Sequence, residues 1–152
     1  MTFFLIAFLT ASVVKADSAF QPPSCEVTFD WPEATKPPEV GEQGNVSGRA
    51  TLTSTEKLWL FTRKKGKALW RPSPTEYEPA LVKWKAPSVK FDQANPGELI
   101  EIRIMIVDTH WHGVLTNRVR TEMTPNEGIS LDDIQSPCSK TRLVMRTLQA
   151  GK

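Results

Sequence analysis

The chain has 152 residues, of which 39% are hydrophobic and 24% charged, and it carries a formal net charge of +2. The length fits one domain, and the composition is ordinary for a globular protein. The net charge is too small to indicate nucleic-acid binding by itself, so we expect no nucleic-acid partner.

The first residues predict a cleaved secretory signal peptide over residues 1–16. Phe3 to Leu9 is an apolar core, far shorter than the roughly 20 residues that span a bilayer. Val14 and Ala16 stand at the −3 and −1 positions of a signal-peptidase site. An N-terminal membrane anchor and a buried first strand remain alternatives, because no Lys or Arg precedes the core. We therefore expect a secreted protein without a transmembrane segment, an irregular leader over 17–24, and a single domain over 25–152.

The only two cysteines, Cys25 and Cys138, lie near the two ends of the predicted mature chain. Two cysteines in an exported protein most often pair with each other, so we predict a disulfide that closes almost the whole domain. Two free thiols and an intermolecular bond are the alternatives. With two separated histidines, these cysteines do not give a zinc site at any usual spacing.

The first half of the domain reads as strands separated by turn-rich segments. Alternation predicts a strand at Cys25 to Trp31, a Pro-rich connector at Pro32 to Pro38, and a second strand at Gly44 to Ser54. Asn45 opens an N-glycosylation sequon on the outward face of the second strand, which matters only in a eukaryotic host. Leu58 to Lys65 is apolar on both faces at first, as expected of a central strand covered on both sides.

The middle of the chain predicts a hairpin and a loop. Gly66 offers a turn, and Lys67 to Arg71 is the expected return of the hairpin. Pro72 to Pro79 carries three prolines in eight residues and predicts a loop. Ala80 to Ala86 and Ser88 to Asp92 each alternate and predict two further short strands.

The clearest element is Gly97 to Asp108, in which four isoleucines alternate with other residues at positions 100, 102, 104 and 106. This pattern predicts a strand with a buried isoleucine face, placed centrally in a sheet. Spacings of three and four then predict a short helix from about Gly113 to Glu122. Ile129 to Pro137 is expected to be irregular, and Ser139 to Thr147 is the expected last strand.

About seven strands with regular turn signals predict a mostly β protein, an antiparallel β-sandwich with one short helix. The order of motifs resembles that of small secreted or surface-exposed bacterial Ig-like sandwich domains. The resemblance runs from Val46 to Arg146 and rests on the segments VSGRATL, LWLFTRK, LWRPSPTEY, VKWKAPSV, EIRIMIVD and the final Val-x-Arg. It implies a binding or sensory module, or an accessory part of a surface protein, and it brings no catalytic residues.

Asp108, His110 and His112 form the sharpest candidate for chemistry. In an extended chain they would share one face at i, i+2 and i+4, and Asp and His are suitable zinc ligands. A fourth ligand would have to fold back from Glu122, Asp132 or Asp133. The alternative is that Asp108 or Thr109 caps a helix and the histidines are ordinary loop residues. No metal and no cofactor are therefore predicted.

A basic run interleaved with an aromatic residue is the best candidate binding surface. Clustered cations beside an exposed aromatic side chain can bind a polyanion such as a glycan or another anionic polymer. The alternative is a solvated hairpin whose lysines protect a sheet edge from pairing. Trp70 and Trp111, at loop edges, are further candidates because exposed tryptophans stack on sugars or on partner side chains. The alternative for each is simple partial burial. The predicted binding residues are Lys64, Lys65, Lys67, Trp70, Arg71 and Trp111.

Three classes of function remain open from the sequence. We expect a secreted, non-enzymatic binding module with an unidentified extracellular or envelope partner. A small metal-dependent hydrolase using Asp108, His110 and His112 is the alternative. A Ser/His/Asp or Cys/His nucleophile is not supported, since the sequence has no G-x-S-x-G elbow. The acidic pairs Asp132–Asp133 and Glu76 with Glu78 are expected to be solvated. A structural or inhibitory protein presenting Pro72 to Pro79 is the third class.

Overall fold

A computed structural model describes residues 26–32, 35–121, 123–124 and 126–148. Within these residues the chain forms nine strands and one α-helix, so it is mostly β as predicted. The helix, α1, spans Thr109–Arg120 between the last two strands. The strands are β1 Val27–Trp31, β2 Glu39–Val40, β3 Gln43–Ala50, β4 Lys57–Lys64, β5 Arg71–Pro74, β6 Glu76–Glu78, β7 Lys83–Lys90, β8 Leu99–Val107 and β9 Ser139–Arg146.

The strands form two sheets. One has the order β1-β3-β7-β6 and the other the order β2-β9-β8-β4-β5. All neighbours are antiparallel except β2 and β9, which are parallel. The isoleucine strand, β8, is the middle strand of the five-stranded sheet, as its sequence predicted.

The main core contains residues of both sheets. Ile100, Ile102 and Ile104 of β8 are fully buried in it. Val27, Val46 and Trp84 of the four-stranded sheet belong to the same buried cluster. Burying a large aliphatic side chain contributes about 1.5–3 kcal/mol, so this isoleucine face is a principal source of stability.

A second, smaller core lies on the other face of the five-stranded sheet. Trp59 and Phe61 of β4 are buried there with Met105 and Val107 of β8. The covering residues come from the segment between β8 and β9, namely Leu115 of α1 together with Leu131 and Ile134. This third layer explains why Leu58 to Phe61 are buried without a break, and it confirms that β4 is covered on both faces.

The estimate of about seven strands was too low because the Pro-rich segment is not a loop. Residues 72–79, predicted as a loop, contain the last part of β5 and all of β6. Each of these strands lies at the edge of its sheet. An edge strand needs hydrogen-bond donors on one side only, so proline is tolerated there. Pro72 and Pro74 lie in β5 itself, whereas β6 contains no proline and is followed directly by Pro79.

Two other element predictions were wrong in detail. The two short strands expected at 80–92 are one strand, β7, which continues through Ser88 at a positive φ of 55°. The helix begins at Thr109, four residues before the predicted start, because Asp108 caps it. The Asp108 side chain accepts a hydrogen bond from the Trp111 backbone N–H at 2.8 Å.

Several predictions concern residues outside the described part of the chain. The signal peptide over 1–16, the leader over 17–24 and Cys25 all lie there. Cys138 is described, and its side chain is buried in the main core just before β9 begins. None of the helices in the described residues is long and apolar enough to cross a membrane.

Candidate functional site

The predicted binding surface is the turn between β4 and β5, which we call the basic hairpin (residues 64–71). β4 and β5 pair in antiparallel register, with Thr62 opposite Arg71. The Lys67 backbone N–H donates to the Lys64 carbonyl at 3.0 Å, and Gly66 adopts a positive φ of 84° that favours glycine. The hairpin therefore has a defined turn and is attached to a buried strand.

Trp70 anchors the basic hairpin. Its backbone exchanges two hydrogen bonds of 2.8 Å with Ile129, and its side chain is only 3% exposed. The guanidinium carbons of Arg63 and Arg103 lie 4.1 and 4.6 Å from the centre of its ring system. Cation–π contacts of this kind contribute about 0.5–2 kcal/mol each. The expectation of an exposed Trp70 is therefore wrong, because this side chain holds the hairpin in place.

Three cations in and beside the basic hairpin are held by carboxylates. Lys64 pairs with Glu98 at 2.5 Å, and Arg63 pairs with Glu101 at 2.5 Å. The ammonium of Lys64, hydrogen-bonded to Glu98, lowers the pKa of that carboxyl below its ordinary value, and the Asn95 backbone N–H adds to the effect. These pairs fix the direction of two side chains on β4.

Arg71 is the third of these cations. It pairs with Asp92 at 2.6 Å and donates to the Met123 carbonyl at 2.8 Å, and its side chain is 12% exposed. Lys65 and Lys67 lie in the turn itself and are exposed. Within the described residues neither lysine has an ion-pair partner. The basic hairpin therefore presents two unpaired ammonium groups on a rigid base.

Three hollows surround the loop that follows α1. The first, of about 250 Å³, lies at the basic hairpin and includes Lys67 and Gln93 in its lining. The second, also about 250 Å³, includes Arg118 of α1. The third, about 340 Å³, runs beside the edge strand β5 and includes Lys90 of β7. Neighbouring hollows share residues of their lining, so they lie side by side around this loop, and we call the three together the cationic arc.

The cationic arc also contains uncharged polar groups. Ser73, Ser88 and Thr121 line it with Asn126. Thr62 and Gln93 form part of the wall of the first hollow. The hydroxyl of Thr62 and both polar atoms of the Gln93 amide are buried and have no hydrogen-bond partner in the part of the chain that the structure describes. Most buried polar groups in proteins are paired, so this wall holds unused hydrogen-bonding capacity.

The structure does not bring Asp108, His110 and His112 together as a group of metal ligands. The extended conformation that would place them on one face is replaced by the first turn of α1, and Asp108 is used as its cap. His112 accepts a hydrogen bond at Nδ1 from the Trp59 indole N–H at 3.0 Å, and His110 is exposed. No group of three or more potential metal ligands occurs among the residues that the structure describes.

Trp111, the other predicted binding residue, is half-buried. Its ring packs against the second core, and the His110 ring lies edge-on at 5.7 Å. Only part of this side chain is open to a partner.

Sequence reasoning missed the residues that complete the cationic arc. Lys90 and Arg118 lie 23 and 51 positions after Lys67 in the chain. They join the hairpin only because α1 folds back over β4 and β5 and β7 passes beside β5. The one available signal was helical spacing in the segment after β8, which predicted the helix but not the sheet face that it covers. Comparison of the chain with protein-family models, with curated proteins and with solved structures finds no match in any of the three.

Proposed function

We propose that this protein is a secreted, non-enzymatic binding module, an Ig-like sandwich whose binding surface is centred on the basic hairpin. The observation that carries this proposal is the construction of the hairpin. Trp70 and three ion pairs hold its base, whereas the exposed side chains of Lys65 and Lys67 form no ion pair with any residue that the structure describes. A surface fixed in this way loses little side-chain and loop entropy when a partner binds.

The strand order supports an Ig-like assignment. In an immunoglobulin sandwich the strands A, B, E and D form one sheet, and G, F and C form the other, with C′ added beside C in variable-type domains. Taking β1 as A and β3 as B makes the first sheet here A-B-E-D. The second sheet, from β9 to β5, then has the order G-F-C-C′. This agrees with the resemblance to bacterial surface domains.

Two features depart from an antibody domain. The cysteines lie before the strands that correspond to A and G, whereas the antibody disulfide joins B and F. The connection between F and G carries α1 and covers the outer face of one sheet. We take this covering segment as the specialisation of the present chain, because it builds the wall opposite the basic hairpin.

A non-enzymatic role is supported by the structural contacts of the residues that a metal-dependent hydrolase would use. Asp108 accepts a helix-capping hydrogen bond, and His112 accepts one from Trp59. Both groups thus have structural tasks that a catalytic role would interrupt. A metal-dependent hydrolase built on Asp108, His110 and His112 is therefore not proposed.

Secretion and a Cys25–Cys138 disulfide form part of the same proposal. Cys138 is buried in the main core together with Val27, which lies two positions after Cys25 in the sequence. Mass spectrometry of the unreduced secreted protein after thiol alkylation should find no labelled cysteine and a peptide pair joined at these positions. Two labelled thiols would refute the bridge.

The binding proposal is tested with matched baits. The wild-type domain and the variant Lys65→Glu/Lys67→Glu are immobilised and exposed to the fluid and envelope fraction of the producing cells. We expect a component that the wild type retains and the variant loses. The control variant, Lys57→Glu, changes an exposed lysine at the opposite end of β4 and should retain it. Identical capture by all three baits would contradict a binding role for the hairpin.

A further inference from the structure

The cationic arc points to a class of ligand. We propose that it binds a linear anionic polysaccharide, with one sulfate or carboxylate group of the chain in each of the three hollows. This inference rests on the proposed binding role of the basic hairpin and extends the site from the hairpin to β7 and α1.

Charge is the first argument. The described lining of the three hollows contains one carboxylate, that of Glu127, and six cations, namely Arg63, Lys64, Lys67, Arg71, Lys90 and Arg118. The Glu127 carboxylate is engaged by the Thr124 backbone N–H at 2.7 Å. A cleft that is lined by charges of one sign and has walls of low dielectric constant concentrates the electric field. It therefore attracts a ligand of the opposite charge.

The distribution of the unpaired cations is the second argument. Glu101, Glu98 and Asp92 neutralise Arg63, Lys64 and Arg71. The three cations that remain, Lys67, Lys90 and Arg118, have no ion-pair partner among the described residues, and each lines a different hollow. All three side chains are exposed. Cations distributed over three adjacent hollows fit a polymer better than a compact anion, because a compact anion would contact only one of these cations.

The chemistry of the lining is the third argument. No aromatic side chain is among the described lining residues of the three hollows, so the arc offers no stacking platform for the bases of a single-stranded nucleic acid. It offers instead hydroxyl and amide groups, including Ser73, Ser88 and Asn126. These groups both donate and accept hydrogen bonds, as sugar hydroxyls do.

The test measures binding of heparin oligosaccharides by calorimetry as a function of salt concentration. The folded domain should bind a heparin dodecasaccharide, and its affinity should fall steeply as salt rises, because binding releases counterions. Lys67→Ala, Lys90→Ala and Arg118→Ala should each weaken binding several-fold and reduce the salt slope by about one. A heparin disaccharide should bind much more weakly than the dodecasaccharide.

The controls separate a defined arc from general positive charge. Arg120→Ala removes an exposed cation two residues after Arg118 on α1, and Lys57→Ala removes one at the far end of β4. Both should leave affinity and salt slope unchanged. Equal losses in all five variants, or equal affinity for the disaccharide and the dodecasaccharide, would overturn the proposal. Tighter binding of a single-stranded oligonucleotide of equal charge would also overturn it.

Failure of this inference can be distinguished from failure of the proposed function. Electrostatic contacts of this kind are strongest at low ionic strength, on the order of 50 mM salt. If no heparin oligosaccharide binds under that condition, the proposal of a polysaccharide ligand is refuted. Hairpin-dependent capture of a cellular component by the immobilised domain would then still support a binding module. If that capture also fails, the binding module itself is refuted.

Discussion

The indole N–H of Trp59 and the imidazole of His112 connect the five-stranded sheet to the helix that covers it. The donor and the acceptor are 3.0 Å apart, and Trp59 is only 2% exposed. In this contact Nδ1 of His112 is the acceptor, and it accepts through its lone pair. Replacing His112 by Leu leaves a buried donor without an acceptor, so we expect a loss of about 1–3 kcal/mol in the free energy of unfolding.

Urea denaturation measures this loss. The double variant Trp59→Phe/His112→Leu removes the donor as well, so its loss in free energy of unfolding should be smaller than the sum of the losses in the two single variants. Strict additivity would mean that the hydrogen bond does not couple the two residues.

The Glu98 carboxylate should make the stability of the protein depend on pH in the acid range. Its pKa is lowered in the folded protein, chiefly by the Lys64 ammonium and then by the Asn95 N–H. A lowered folded pKa contributes stability above the unfolded pKa of Glu, and this contribution disappears as the pH falls through the folded value. Glu98→Gln should therefore melt below the wild type at pH 7, and the difference should narrow towards pH 3. The control Glu39→Gln should show no such convergence; a gap that stays constant with pH would contradict the assignment.

At the scale of elements, two glycines should respond to alanine in opposite directions. A Cβ at Gly48 of β3 would lie 2.7 Å from the Trp84 ring and 1.9 Å from the Thr28 carbonyl oxygen. The neighbouring strand must move to admit it, so Gly48→Ala should cost about 1–3 kcal/mol or more. A Cβ at Gly113, on the exposed side of α1, meets nothing within 4 Å. Gly113→Ala should therefore stabilise the protein by up to about 1 kcal/mol.

Thermal melting of both variants checks this pair. Gly48→Ala should lower the melting temperature and alter the near-UV circular dichroism of the buried Trp84. Gly113→Ala should raise the melting temperature and leave that signal unchanged. A neutral Gly48→Ala would mean that β1 and β3 are not packed as closely as the structure has them.

The elements that could be predicted from sequence are those with a local cause. The isoleucines of β8 alternate with other residues, and β4 has an apolar run that covers both of its faces. Both patterns are visible in the local sequence, and both predicted central strands correctly. The edge strands β5 and β6 were missed because the prolines of this segment predict a loop. The segment is extended because it pairs with β4 and β7, and this pairing is not visible in the local sequence. The helix start was missed because the pattern of apolar residues begins later than the cap at Asp108.

At the scale of the whole molecule, the candidate site was predictable only in part. Lys64, Lys65 and Lys67 of the hairpin lie close together in the sequence and could be identified as a basic cluster. Lys90 and Arg118 come from a different sheet and from the covering helix, so no local pattern links them to Lys67. Trp70 had an ambiguous position beside a loop, and its burial depends on Arg63, Arg103 and Ile129, which reach it from three separate segments.

The two cores on either side of β8 make its middle position the most sensitive point of the molecule. Ile104 lies at the centre of the middle strand, is fully buried, and faces the four-stranded sheet. Aspartate there would place an unpaired carboxylate in an apolar core, a cost beyond the roughly 5–15 kcal/mol by which domains are stable. We expect Ile104→Asp to be unfolded by circular dichroism at pH 7. Lys140 of β9 lies opposite Ile104 in the antiparallel register and is exposed. As the control, Lys140→Asp should fold with a nearly unchanged melting temperature. A cooperative, wild-type-like transition in Ile104→Asp would contradict the placement of β8 between two sheets of one sandwich.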